Sequence, residues 1–148
     1  MTRVHGTAVA LDGIGVLIRG PSGSGKSDLA LRLIDAGALL IADDQTELWP
    51  TEQSIIMRSP LNIAGRLEVR GVGIARVPSL AEAPLRLVLD LVPSEHVERL
   101  PERANCEMLG HPVPRLAVAP FEASAVAKVR LALRGLVSSE PGSILAAP

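Results

Sequence analysis

The stretch "GPSGSGKSDLALRLIDAGALLIADDQ", residues 20–45, decides how the rest of the chain is read. Its first eight residues, Gly20, Pro21, Ser22, Gly23, Ser24, Gly25, Lys26 and Ser27, satisfy the pattern G-x-x-x-x-G-K-[ST]. Glycines let successive backbone N–H groups turn inward around phosphate oxygens, and the helix that follows adds the partial positive charge of its N-terminus. In such a loop the lysine reaches the β- and γ-phosphates, and the next hydroxyl binds Mg²⁺. With Gly at its usual abundance, a chance match is expected in under ~1% of chains this long. An apolar strand precedes the loop and an amphipathic helix follows it. The stretch therefore reads as a nucleotide-binding strand–loop–helix unit.

Upstream, "VHGTAVAL" and "GIGVLIRG" read as two strands joined at Asp12-Gly13, a dipeptide suited to a tight hairpin turn. Downstream, Leu29, Ala30, Leu33 and Ile34 share one face of a helix predicted over Lys26–Ala36, with Asp28, Arg32 and Asp35 opposite. Gly37 stops it. The helix rises about 16 Å, and the apolar run "ALLIA" returns a similar distance at ~3.3 Å per residue. Asp43 and Asp44 therefore land at the sheet edge that holds the phosphate loop. A carboxylate there can hold Mg²⁺ through water or accept a proton from a hydroxyl nucleophile. Two adjacent aspartates could divide these tasks; Asp44 is preferred over Asp43 as the base.

"TELWP" and "SIIMRS" read as hairpin partners, "RLEVRGVGIARV" as extended chain broken by glycines, and "LRLVLDLV" and "PRLAVAP" as late strands. "EASAVAKVRLALRG" reads as a closing helix capped by Gly135. The expected fold is α/β: a single P-loop domain over residues 1–136 with a mixed, hairpin-rich sheet and flanking helices, and a mobile tail over 137–148. One Trp, one Phe and no Tyr leave few stacking platforms for single-stranded nucleic acid, and a net charge of −1 gives no basic footprint. Trp49 is assigned to core or interface rather than to a base stack. The single cysteine, Cys106, excludes an intrachain disulfide and reads as a bystander. No signal-peptide pattern and no apolar run near ~20 residues is found, so a soluble cytoplasmic domain is expected.

"VHG", "GPSGSGKS", "LLIADD" and "LEVRGVGI" occur in that order and at close spacing. Together they resemble the catalytic domain of bacterial HPr kinase/phosphorylase, over roughly residues 3 to 134. The resemblance implies a compact fold related to phosphoenolpyruvate carboxykinase, commonly a hexamer, and hence a homo-oligomer. It implies ATP-dependent phosphorylation of a serine on HPr, the phosphocarrier of the sugar phosphotransferase system, with reversal by phosphorolysis in many members. Carried onto this chain, it implies that His5 stabilises charge near the transferring phosphate and Lys26 neutralises charge between β- and γ-phosphates. Ser27 and Glu68 would be Mg²⁺ ligands. Asp44 would exchange the serine proton, and Arg99 would bind phosphate. The chain looks like a short form holding the catalytic domain alone. Pro120-Phe121-Glu122-Ala123-Ser124 stands where long members have a Pro-Gly-Arg-Asn-like stretch, so retention of phosphorolysis is left open.

Two other readings stand beside the kinase: a non-catalytic nucleotide sensor, and a small-metabolite kinase on the same scaffold. Binding alone does not require His5, Asp43, Asp44 and Glu68, which weighs against the sensor. No second domain or lid is evident to enclose a small substrate, which weighs against the metabolite kinase.

Overall fold

The computed structural model describes residues 1–137. Its eleven strands are β1 (Thr2–His5), β2 (Thr7–Leu11), β3 (Ile14–Arg19), β4 (Leu39–Ala42), β5 (Gln45–Pro50), β6 (Ile55–Arg58), β7 (Arg66–Val69), β8 (Gly73–Arg76), β9 (Glu82–Leu91), β10 (Ala104–Met108) and β11 (His111–Val118). Helix α1 spans Lys26–Asp35 and α2 Ala125–Val137. The architecture is mixed α/β, as expected. The tail expected to be mobile lies outside the described residues, apart from Val137, which ends α2.

Nine strands form one sheet with two leaves that share β9. The first leaf runs β1-β5-β6-β9, all antiparallel. The second places β9 between β3 and β11, in parallel with both, and continues through β2 to β4 on one side and to β10 on the other. β7 and β8 form a separate hairpin. Both helices cover one face of the second leaf, where Val16, Ile18, Leu29, Leu33, Leu40, Leu89 and Val129 are fully buried. The opposite face packs on the first leaf through Leu17, Ile41, Leu48, Ile55, Met57 and Val88. A leaf covered on both faces needs strands that are apolar on both sides, which is why β2 reads Thr-Ala-Val-Ala without alternation and is buried at all four.

Asp12 and Gly13 both adopt positive φ, 50° and 77°, and close the β2–β3 hairpin as their sequence predicts. Two readings are corrected and one strand is added. "VHGTAVAL" is two strands: at Gly6 the chain leaves the first leaf, where β1 pairs with β5, and enters the second, where β2 pairs with β3 and β4. β10 carries no clear apolar alternation and is found only as the edge partner of β11. α2 starts at Ala125, three residues later than the sequence suggests, and runs through Gly135 to Val137 rather than stopping there. Its buried residues Ala125, Val129, Ala132 and Leu133 outweigh the roughly 1 kcal/mol helix penalty of one glycine.

Candidate active site

Two chain crossings between the leaves meet at one point and build the site. Gly6 carries the chain from β1 to β2, while Asp43 and Asp44 carry it back from β4 to β5. The Gly6 N–H donates to the Asp44 carbonyl at 2.8 Å. The Thr46 hydroxyl donates to the Gly6 carbonyl at 2.9 Å. Asp44 sits at φ 67°, a left-handed conformation that costs a non-glycine residue energy and recurs at functional sites.

The two aspartates are treated very differently. Asp43 is 8% exposed and draws three donors. Its Oδ1 accepts the Ser27 hydroxyl at 2.8 Å and the Thr7 hydroxyl at 3.1 Å. Its Oδ2 accepts the Glu68 backbone N–H at 3.0 Å. The Asp44 side chain is 64% exposed and meets one partner, His5 Nε2, at 2.8 Å from Oδ1. Thr7, wholly buried, ties the pair together: its oxygen accepts the Asp44 N–H at 3.2 Å while its proton goes to Asp43. Nothing in the sequence singled Thr7 out beyond a hydroxyl at the head of an apolar run.

The phosphate loop, Gly20–Ser27, joins β3 to α1. Lys26 is 7% exposed, and its Nζ donates to the Gly20 and Pro21 carbonyls at 2.8 and 3.0 Å. An ammonium has three donors, so one remains for a phosphate oxygen. Inside the loop, Ser24 Oγ is buried without a partner among the described residues.

The resulting cluster joins His5, Lys26, Ser27, Asp43 and Asp44. Glu68 enters it through its backbone N–H, while the residue itself is exposed on β7. Arg99 lies exposed after β9 and makes no bond to this cluster. Trp49, assigned to core or interface, is 38% exposed on β5, donates to Glu47 and lies 5.1 Å from the Arg58 guanidinium.

Beside the loop, Arg19 ends β3 and grips Asp90 with two bonds, of 2.8 and 3.0 Å, while Arg115 approaches the same carboxylate from β11. Burial pushes the Asp90 carboxyl up, but the bonds and charges of both arginines outweigh it and hold it below the ordinary carboxylate value. The bond to Asp90 raises the Arg19 guanidinium in turn.

Residues 1–129 match the sequence profile of the HPr serine kinase C-terminal domain. The chain belongs to that family. HPr kinase/phosphorylase of Clostridium botulinum (strain Eklund 17B / Type B) is 38% identical over 131 residues, covering 79% of this chain and 42% of the relative. That of Clostridium beijerinckii is 44% identical over 95 residues, 60% of this chain and 32% of the relative. The solved Hpr(Ser) kinase/phosphatase from Coxiella burnetii superposes with a TM-score of 0.77 at 28% identity, covering 91% of this chain and 94% of that one. The chain thus spans between about a quarter and two-fifths of the length of the curated HPr kinase relatives it matches. No helix among the described residues is long and apolar enough to cross a membrane.

The donor set fits a hard cation: the Ser27 hydroxyl and the Asp43 carboxylate lie 2.8 Å apart. Among the described residues no three His, Cys, Asp or Glu are grouped so as to hold a metal ion by themselves. Mg²⁺ seldom needs one, because it keeps several waters and borrows phosphate oxygens.

Proposed function

We propose that this chain is an ATP-dependent protein-serine kinase that phosphorylates HPr, working in the cytoplasm as a homo-oligomer. The observation that carries the reading is the division between adjacent aspartates: one buried against the phosphate loop, the other exposed and aimed at a histidine. A nucleotide sensor needs only the first. Family membership supports the kinase class, and the names of the relatives support HPr as acceptor.

Phosphoryl transfer asks the protein for positioning and charge stabilisation more than for covalent chemistry. Gly20 to Ser27 would cradle the polyphosphate with backbone N–H groups, and the third Lys26 donor would rest on it. Ser27, Asp43 and Glu68 would hold Mg²⁺, which when bound neutralises charge on the phosphates. Asp44 would accept the proton of the incoming serine hydroxyl, with its carboxylate oriented by His5. His5 and the exposed Arg99 would add donors for the transferring phosphate. In phosphorolysis Asp44 would return the proton.

The test uses purified HPr, ATP and Mg²⁺, with the site of phosphate on HPr located by mass spectrometry. Asp44→Asn should lose transfer by about 10²-fold or more while nucleotide still binds. Transfer at the wild-type rate in that variant would remove Asp44 as the base. Tight ATP binding without any labelled HPr in the wild type would favour the sensor.

A further inference from the structure

Phe121 is the only phenylalanine in the chain, and it is 71% exposed. It is not loose surface. Its Cζ lies 2.8 Å and its Cε1 3.2 Å from where a Cβ on Gly25 would stand, with Pro120 Cγ also at 3.2 Å. Gly25 is the N-cap of α1, at φ 103°. The ring therefore rests on the last glycine of the phosphate loop, in space that any side chain there would fill. Its segment is braced on both sides. Arg32 of α1 donates to the Pro120 carbonyl, and Lys128 of α2 meets Glu122 at 3.2 Å. The Glu122 N–H bonds the Ala119 carbonyl, and the Ala125 N–H bonds the Glu122 carbonyl. An aromatic ring is thus held against the last glycine of the phosphate loop with most of its surface in water.

We propose that Phe121 is the stacking platform for the nucleobase of the bound nucleoside triphosphate. The proposal rests on the phosphate-loop reading and deepens it. With the β- and γ-phosphates in the cradle, the nucleoside must leave along the rim of the loop, and Gly25 with Phe121 forms part of that rim. The remaining aromatic, Trp49, is engaged with Arg58 on β5 and is not at the loop. Every base presents a π face, so a platform of this kind is tolerant of base identity. ATP and GTP should both bind.

Calorimetry of the full chain with Mg-ATP, Mg-GTP and inorganic tripolyphosphate tests this. Wild type should bind both nucleotides more tightly than tripolyphosphate. Phe121→Ala should weaken nucleotide binding about 5- to 150-fold and leave tripolyphosphate unchanged. Phe121→Trp should restore nucleotide affinity, with indole fluorescence beyond that of Trp49 changing on addition of ATP and not of tripolyphosphate. Unchanged ATP affinity in Phe121→Ala would overturn the proposal. So would equal weakening of ATP and tripolyphosphate, which would make the ring a brace for the loop, or a changed KM for the protein substrate alone. Equal wild-type affinity for ATP and tripolyphosphate would overturn the platform but leave the phosphate loop standing. Binding of neither would overturn both.

Discussion

Replacing Asp43 by Asn keeps shape and removes charge, and the geometry lets the cost be worked out. Three donors converge on Asp43: two hydroxyls at Oδ1 and a backbone N–H at Oδ2. An amide has one acceptor oxygen. Placed toward Glu68, it turns its NH₂ onto the hydroxyls of Ser27 and Thr7. Those hydroxyls can rotate to accept, but the Thr7 proton then has no partner in a fully buried site, because its oxygen already serves the Asp44 N–H. Placed the other way, the amide faces the Glu68 N–H donor to donor. Either orientation strands a buried donor, at about 1–3 kcal/mol, and downgrades the bonds that remain from charged to neutral. We expect about 3 kcal/mol of destabilisation, equivalent to a melting temperature lower by about 6–12 °C for a chain of this size. Calorimetric melting of the two proteins without nucleotide measures it. Asp44→Asn is the control, because its exposed side chain has a single partner and should change stability by less than about 1 kcal/mol. An Asp43→Asn protein melting within about 2 °C of wild type would refute the convergence of donors on this carboxylate.

Two further outcomes follow from the packing. The depressed Asp90 carboxyl stabilises the fold above its ordinary value of 3.8, and that contribution is lost as pH falls through the lower, folded-state value. Urea titrations should therefore show stability declining below about pH 4, with a shallower acid slope in Asp90→Asn; parallel slopes would contradict the Arg19–Asp90–Arg115 contact. Gly15→Ala should destabilise by about 1–3 kcal/mol or prevent folding, because its Cβ would stand 2.4 Å from the Pro84 carbonyl oxygen and 2.6 Å from Met57 Cε. Wild-type urea midpoints in that variant would show that β3 does not lie so closely against Pro84 of β9 and Met57 of β6.

Much of the site is legible in sequence because its elements are consecutive. The loop, α1 and β4 follow one another, so periodicity and rise per residue suffice to return Asp43 to Ser27. The turn at Asp12-Gly13 is written in two residues that tolerate positive φ. What escapes is what depends on distant partners. "VHGTAVAL" has strand propensity throughout, and only the change of neighbour, from β5 to β3 and β4, divides it at Gly6. Glu68 reads as a side-chain ligand, yet its contact with Asp43 runs through the main chain, which no residue type announces. Thr7 looks like an ordinary strand threonine until its two neighbours across the fold are known. Phe121 lies 96 residues, 121 minus 25, beyond the glycine it covers, so only packing brings them together.

The leaf crossing at Gly6 and Asp44 has a mechanical consequence. His5 is carried by the first leaf and the phosphate loop by the second, so the base pair and the phosphate cradle ride on different plates. The plates are joined along β9, and at the site they are tied a second time by the bonds that Thr7 makes to the two aspartates. Thr7 is the rivet of that second joint, bonded to Asp43 on one side and to the Asp44 main chain on the other, so the relative placement of the His5–Asp44 pair and the cradle hangs on one buried hydroxyl.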